Sequence, residues 1–131
     1  MEIEIFTICD HAQDTGGKLF IIGTFDMINS PAFPMVYPAF TIAGRMRFSR
    51  KEIGEHSFRI RALDPQGKEL IQPIEGQIGI GEPAPFADYA STNFVINLQQ
   101  VKLEYPGTYT FELYIDEEWK TGLKLMAIKP Q

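Results

Sequence analysis

The sequence contains few of the residues that covalent cross-links and metal sites require. It has one cysteine and two histidines among 131 residues. One cysteine cannot form an internal disulfide, and a zinc site needs three or four ligands around one point. The first residues, Met1 to Glu4, also lack the basic and then apolar segments of a secretion signal. We therefore expect no metal and a reducing, cytoplasmic location.

Long hydrophobic runs and helical periodicity are missing as well. No apolar run exceeds four residues, the length of the segment from Leu19 to Ile22, whereas a membrane-spanning helix needs about 20. We expect no membrane partner. The hydrophobic content of 44% and the net charge of −5 are typical of a globular protein. At this length the expectation is a single domain over residues 1–131.

Apolar and polar residues instead alternate with a period of two. Between Phe40 and Phe48 every second residue is apolar or glycine, which is typical of a half-buried antiparallel strand. Similar runs, separated by turns rich in Gly, Pro, Asn and Asp, recur along the chain. The predicted strands cover residues 2–10, 17–28, 39–49, 56–64, 68–80, 91–104, 107–116 and 119–128. About eight short strands predict an all-β fold, a single antiparallel β-sandwich.

One local motif favours an immunoglobulin-like, Greek-key arrangement of this sandwich. The segment from Tyr105 to Phe111 resembles a tyrosine corner, in which a tyrosine stands two residues before a core position. Tyr109 would be that tyrosine and Phe111 the core residue. The alternative is that Tyr109 is only the first core residue after the Pro106-Gly107 turn. The alternation also changes phase near Ile5 and at Gln99-Gln100, which predicts β-bulges or strands that cross between sheets.

Several segments occur in an order and spacing that resemble an uncharacterised bacterial family of unknown function. They are Ile5 to Asp10, Gly17 to Asp26, Gly54 to His56 and Asp64 to Gly67, so the resemblance spans nearly the whole chain. It implies a small cytoplasmic β-sandwich. It implies no activity, cofactor or partner.

Catalytic candidates are few. Cys9 and His11 stand two residues apart on a predicted strand and would share one face, as a nucleophile and a base could. The alternative is that Cys9 is a small buried apolar residue. His56 is expected to be a solvated turn residue. The glycines from Gly76 to Gly81 lie inside a predicted strand rather than before a helix, so they do not form a phosphate-binding loop, and we expect no cofactor.

All five arginines lie between positions 45 and 61, a segment with six basic and two acidic residues. If strands 39–49 and 56–64 form a hairpin, Arg47 stands opposite Arg59 and Arg45 opposite Arg61, all pointing away from the core. Opposed like charges are destabilising, so this face needs counter-charges. Glu69, Glu75 and Glu112 could supply them within the chain. Alternatively the face binds an acidic partner, since the guanidinium fork suits carboxylates.

Two loops rich in proline and aromatic residues form a second candidate surface. They carry Phe33, Met35 and Tyr37 in one loop and Phe86 and Tyr89 in the other. Rigid loops lose little entropy on docking, which suits recognition. The same side chains could instead cover the open ends of the sandwich.

These observations favour a non-enzymatic protein-interaction or structural module. It would bind an acidic protein surface, including that of a second copy, through the arginines, the loops or an exposed sheet edge. Nucleic acid is not expected, because the isoelectric point is near 5.0 and the arginine face lacks aromatic residues for stacking on bases. The alternative is a small hydrolase or ligand-binding protein with a site near Cys9 and His11.

Overall fold

Turns with left-handed backbone determine where several strands end. Gly16 and Gly17 have φ of 60° and 81°, and Asp116 and Glu117 have φ of 52° and 66°, in the tight turns of two hairpins. A computed structural model describes all 131 residues. The strands are β1 (Glu2–Thr15), β2 (Lys18–Thr24), β3 (Met27–Asn29), β4 (Met35–Ser49), β5 (Gly54–Leu63), β6 (Ile74–Ile80), β7 (Tyr89–Leu103), β8 (Gly107–Ile115) and β9 (Glu118–Ile128).

These strands form two sheets. The first sheet has the order β2-β1-β4-β7, and the second has the order β3-β9-β8-β5-β6. The only helical element is a 3-10 turn, Arg50–Glu52, between β4 and β5. No helix is therefore long or apolar enough to span a membrane. The predicted all-β class is confirmed.

The strand count differs from the sequence prediction in one region. The predicted strand 17–28 is two strands, β2 in the first sheet and β3 in the second, so nine strands form rather than eight. The backbone leaves β2 at Gly23, whose φ is 71°. Strand β3 then pairs with β9 in parallel, whereas all other pairs are antiparallel. Alternation shows which face is buried but not which sheet a strand joins.

The main hydrophobic core lies between the two sheets. Ile42 and Met46 from β4 are fully buried, as are Ile60 from β5 and Phe111 from β8. The rings of Phe40 and Phe111 meet edge to face across the sheets with centroids 6.1 Å apart. This contact between strands of different sheets buries apolar surface from both.

The β1–β2 hairpin bends over the outer face of the first sheet. At its tip, the Asn93 amide donates to Asp14 Oδ2 at 3.1 Å, and Arg45 Nη1 donates to the Gly17 carbonyl at 3.3 Å. A second, smaller apolar cluster lies beneath it, formed by Cys9, Ala12 and Ala43 with Ile21 and Val95 against them. The hairpin therefore covers Cys9 from solvent.

The predicted hairpin of strands 39–49 and 56–64 is wrong. Strand β4 pairs with β1 and β7, and β5 pairs with β6 and β8, so the two strands belong to different sheets. The short 3-10 turn carries the chain from one sheet to the other. A connection of this length is compatible with a hairpin or with a crossing, and the buried faces of both strands are the same in either case.

Candidate functional site

The arginines do not form one block. Arg45 and Arg47 lie on the outer face of the first sheet, because Ile42, Met46 and Phe48 of the same strand point into the core. Arg59 and Arg61 lie on the outer face of the second sheet. The predicted two-by-two arrangement is wrong because it depended on the β4–β5 hairpin.

Acidic residues of the chain form ion pairs with three of these four arginines. Glu4 contacts Arg45 at 3.5 Å and Arg47 at 3.0 Å. Glu69 contacts Arg61 at 3.5 Å, as the intramolecular alternative predicted, and Glu112, which was expected beside another arginine, also contacts Arg61, at 4.0 Å. Exposed pairs of this kind contribute about 0–1 kcal/mol each to stability. Glu4 carries one charge and is shared by two arginines, whereas Arg61 on the second face has two carboxylate partners.

Arg59 makes no ion pair. Its guanidinium lies over the ring of Tyr114, 4.6 Å from the centroid, and its Nε is buried without an acceptor. It lines a surface cavity of about 390 Å³ together with the carboxylates of Glu75 and Glu117. Those carboxylates oppose the entry of an acidic ligand, so the cavity is a poor match for the predicted partner.

Arg47 and Tyr89 come together at one end of the molecule. Strand pairing places Tyr89 opposite Ser49 at the end of β4. The Arg47 guanidinium lies 3.9 Å from the centroid of the Tyr89 ring, a cation–π contact worth about 0.5–1 kcal/mol at an exposed site. Both residues line a cavity of about 290 Å³ that also includes Met1 and Asp88. The stacking fixes the ring while 43% of the Tyr89 surface stays exposed.

The loop before β7 presents Phe86 completely to solvent. Phe86 has a left-handed backbone with φ of 69°. The loop is held by a turn, in which the Ala87 amide donates to the Ala84 carbonyl at 3.0 Å, and by Arg50 Nη2, which donates to the same carbonyl at 3.0 Å. Pro83 is buried. A large aromatic side chain is thus displayed on a loop with fixed backbone contacts.

The hydrogen bond from Arg50 to Ala84 also joins this loop to the 3-10 turn. Ile53, the residue that follows the turn, is 46% exposed. We call the group of Arg47, Arg50, Ile53, Phe86 and Tyr89 the loop end. Aromatic residues and arginine are the types most enriched at the centres of protein interfaces. Arg47, Phe86 and Tyr89 were predicted from the sequence. Arg50 and Ile53 were missed as site residues, because only the fold brings their turn against the second loop.

The residues of the first loop lie elsewhere. Phe33, Met35 and Tyr37 are partly buried and pack against the main core. The Tyr37 ring contacts Phe25 and Phe40 with centroid distances of 5.8 and 5.9 Å. Tyr37 is near the start of the 15-residue strand β4, and Arg47 is near its end. These three side chains therefore cover the opposite end of the core.

Cys9 and His11 do not form a nucleophile–base pair. Cys9 is fully buried, and its Sγ donates to the His11 carbonyl at 3.4 Å and to the Thr41 carbonyl at 3.7 Å, not to the His11 ring. Burial raises the pKa of the Cys9 thiol, which opposes the thiolate form. His11 is exposed. The geometry favours the interpretation of Cys9 as a packed apolar residue.

His56 is not the solvated turn residue that the sequence predicted. Its side chain is only 14% exposed and contacts Asp116. The structure brings no group of three or more Cys, His, Asp or Glu side chains into a metal-binding arrangement.

Comparison with known families identifies one relationship. Residues 4–128 match a family of unknown function, DUF6941. A comparison with curated proteins finds no match. The matched region covers nearly the whole chain, in agreement with the resemblance seen in the sequence, and the chain belongs to this family of unknown function.

Proposed function

We propose that the protein is a non-enzymatic interaction module that binds an acidic segment of a partner protein through the loop end. The observation that carries this proposal is the complete exposure of Phe86 on a loop fixed by Arg50 and buried Pro83. Exposing an aromatic ring opposes folding, and fixing its backbone lowers the entropy lost on docking.

Two cations near the Phe86 loop that make no ion pair support an acidic partner, whereas the cavity beside Tyr89 also contains Glu2, Glu52 and Asp88 and is not the site of the carboxylates. Arg50 and its neighbour Lys51 make no ion pair within the chain, so they are free to contact carboxylates. The Arg47 guanidinium on Tyr89 adds a planar cation beside the ring. A ligand that inserts an apolar side chain beside Phe86 and presents carboxylates to Arg50 and Lys51 would match both features. The overall charge of −5 favours a protein over a nucleic acid as partner.

The proposal includes the finer fold description, one immunoglobulin-like sandwich domain over residues 1–131. Three features support it. Strands β1, β4 and β7 are neighbours in one sheet and β5, β8 and β9 in the other, as strands A, B, E and C, F, G are in immunoglobulin domains. Tyr109 donates to the Tyr105 carbonyl at 2.7 Å, as a tyrosine corner does. Phe40 and Phe111 meet where such domains carry their inter-sheet disulfide.

Site-specific photocross-linking in the source cell tests the proposed function. A photoreactive phenylalanine analogue replaces Phe86 in one sample and Phe20 in the control, since Phe20 is a half-exposed phenylalanine on β2. We expect a discrete adduct from position 86 only, weakened by Lys51→Glu because charge reversal repels an acidic ligand. Equal adducts at both positions, or none at position 86, would contradict the proposal. A cytoplasmic location, which the buried free thiol of Cys9 supports, is the setting proposed for this experiment.

A further inference from the structure

Strand β7 is an edge strand without the features that usually protect sheet edges. It has 15 residues and pairs only with β4. From Tyr89 to Val101 it contains no charged residue, no proline and no glycine. Natural proteins block exposed edges with short strands, charges, prolines or bulges, because unpaired N–H and C=O groups otherwise bind another strand. The tip of the β1–β2 hairpin contacts the Asn93 side chain on the outer face but pairs with no backbone group of β7, so the backbone edge of β7 is open for pairing.

The other three edge strands are protected. Strand β3 has three residues, and β2 has seven with Lys18 at its start and a left-handed Gly23 near its end. Strand β6 also has seven residues, including Glu75 and two glycines. The long, uncharged edge is therefore specific to β7 and is not shared by the other edge strands of the two sheets.

A partly apolar gap lies beside the same edge. It is a cavity of about 290 Å³ between the edge strands β6 and β7, where the two sheets are not joined, and half of its lining residues are hydrophobic: Met46, Phe58, Ile78 and Phe94. A strand added to β7 would extend the first sheet over this opening. Covering it would remove apolar surface from water, which favours association.

We propose that β7 pairs with β7 of a second copy, antiparallel about a two-fold axis at Val95. Two neutral strands approach without the repulsion that two chains of charge −5 meet elsewhere. An isologous pair also closes, because each copy uses its one open edge. The partner is thus a second molecule of this chain. Phe86 of the loop end precedes β7 and lies outside the paired strand, whereas Tyr89 is its first residue.

The side-chain pattern of β7 favours this register, with Asn93 already bonded within the chain to Asp14, Gly17 and Arg45 and Asn97 to Thr41. Its outward residues are Ser91, Asn93, Val95, Asn97 and Gln99, and regular extended backbone ends at Gln100, where φ is 54°. With the axis at Val95, Asn93 faces Asn97, Ser91 faces Gln99 and Val95 faces itself. Shifting the register by two residues in either direction, the smallest shift that keeps the outward residues on the same face, would place Val95 opposite an asparagine. Pairs of like polarity are the more stable cross-strand pairs.

Sedimentation equilibrium of the full chain over a concentration series tests the proposal. We expect twice the monomer mass of 14.9 kDa. Ser91→Lys with Gln99→Lys places lysine opposite lysine twice, so the dissociation constant should rise more than about tenfold. Ser91→Glu with Gln99→Lys places opposite charges at the same positions and should retain the dimer. A monomeric wild type, or equal effects of the two double variants, would overturn the proposal.

Oxidative cross-linking checks the register independently. Both cysteine variants are made in a Cys9→Ala background, because Val95 packs against the cluster that contains the Cys9 thiol. Val95→Cys should then form a disulfide with its own copy when an oxidant is added, since opposed residues in antiparallel strands are about 4.5–5.5 Å apart. Ser91→Cys is the control, because the two copies of residue 91 would be eight residues apart along the strands, about 26 Å. Cross-linking at position 91 but not at 95 would overturn the register. Failure of the photocross-linking at Phe86 would not affect either result.

Discussion

His56 Nδ1 lies 2.7 Å from Asp116 Oδ2, and this contact ties the β8–β9 turn to the start of β5. The other ring nitrogen, Nε2, lies 2.6 Å from the Glu52 carbonyl. Both partners are acceptors, so the two contacts favour the protonated imidazole, in which both ring nitrogens donate. The hydrogen bond to the Glu52 carbonyl, followed by the bond to Asp116, raises the pKa of His56 above its ordinary value of 6.5.

The raised pKa of His56 predicts that the free energy of unfolding falls as pH rises above 6.5. A raised folded pKa means that the contribution is complete below 6.5 and is lost as pH rises through the folded pKa. The bond to His56 lowers the pKa of Asp116 below 3.8, so its contribution is complete above 3.8 and is lost as pH falls through the lowered value. The pair therefore stabilises most between these limits. Urea unfolding at about pH 5.5, 7 and 8.5 measures this decline in the free energy of unfolding.

His56→Gln is the matched variant for this prediction. Glutamine can donate to one of the two acceptors but does not titrate, so the decline above neutral pH should disappear. His11→Gln is the control, because the His11 ring is exposed and makes no hydrogen bond. A slope that persists in His56→Gln would show that other groups cause it.

Sequence periodicity predicted the buried faces of the strands but not contacts such as His56 with Asp116. These residues are 60 positions apart, His56 at the start of β5 and Asp116 in the β8–β9 turn, and alternation does not show which residues of different elements meet. Likewise Arg45 and Arg61 were correctly placed on outward faces, yet they lie on opposite sheets, because outward parity is the same whichever sheet a strand joins.

The loop end was predictable in part. The exposed aromatic Phe86 follows from a proline-rich loop, and Tyr89 from the same composition. Their association with Arg47 and Ile53 depends on β4 pairing with β7 and on the crossing of the chain between sheets after Ser49. Both are long-range features, which single-sequence patterns do not contain.

Tyr109→Phe should destabilise the fold by about 1–3 kcal/mol, the cost of leaving a buried polar group without its partner. The Tyr109 hydroxyl donates to the Tyr105 carbonyl at 2.7 Å, and the Tyr105 amide donates to the same hydroxyl at 3.3 Å. Tyr105→Phe is the control, because its exposed hydroxyl makes no hydrogen bond, and it should change stability by less than about 0.5 kcal/mol. Equal losses in urea unfolding would refute a special role for the Tyr109 hydroxyl.

Gly44→Ala should destabilise by about 1–3 kcal/mol, the usual cost of overpacking a core. A Cβ at Gly44 would overlap the Phe94 ring, so the ring must move. Gly76→Ala is the matched control in another strand, where a Cβ meets nothing within 4 Å. Thermal unfolding should therefore show a lower midpoint temperature for Gly44→Ala and no such decrease for Gly76→Ala. Gly44→Ala with Phe94→Leu, which removes the clashing ring, should cost less than the two single changes combined.

The Cys9 thiol should not react with an aromatic disulfide reagent in the folded protein near neutral pH. It is fully buried beneath the β1–β2 hairpin, so the reagent cannot reach it, and burial raises its pKa, which disfavours the reactive thiolate. Complete reaction is expected once urea unfolds the chain. Thr15→Cys, on the exposed end of β1, is the control that should react at once in the folded state. Rapid modification of Cys9 in the folded wild type would instead support the hydrolase alternative, because a nucleophile must be accessible and readily deprotonated.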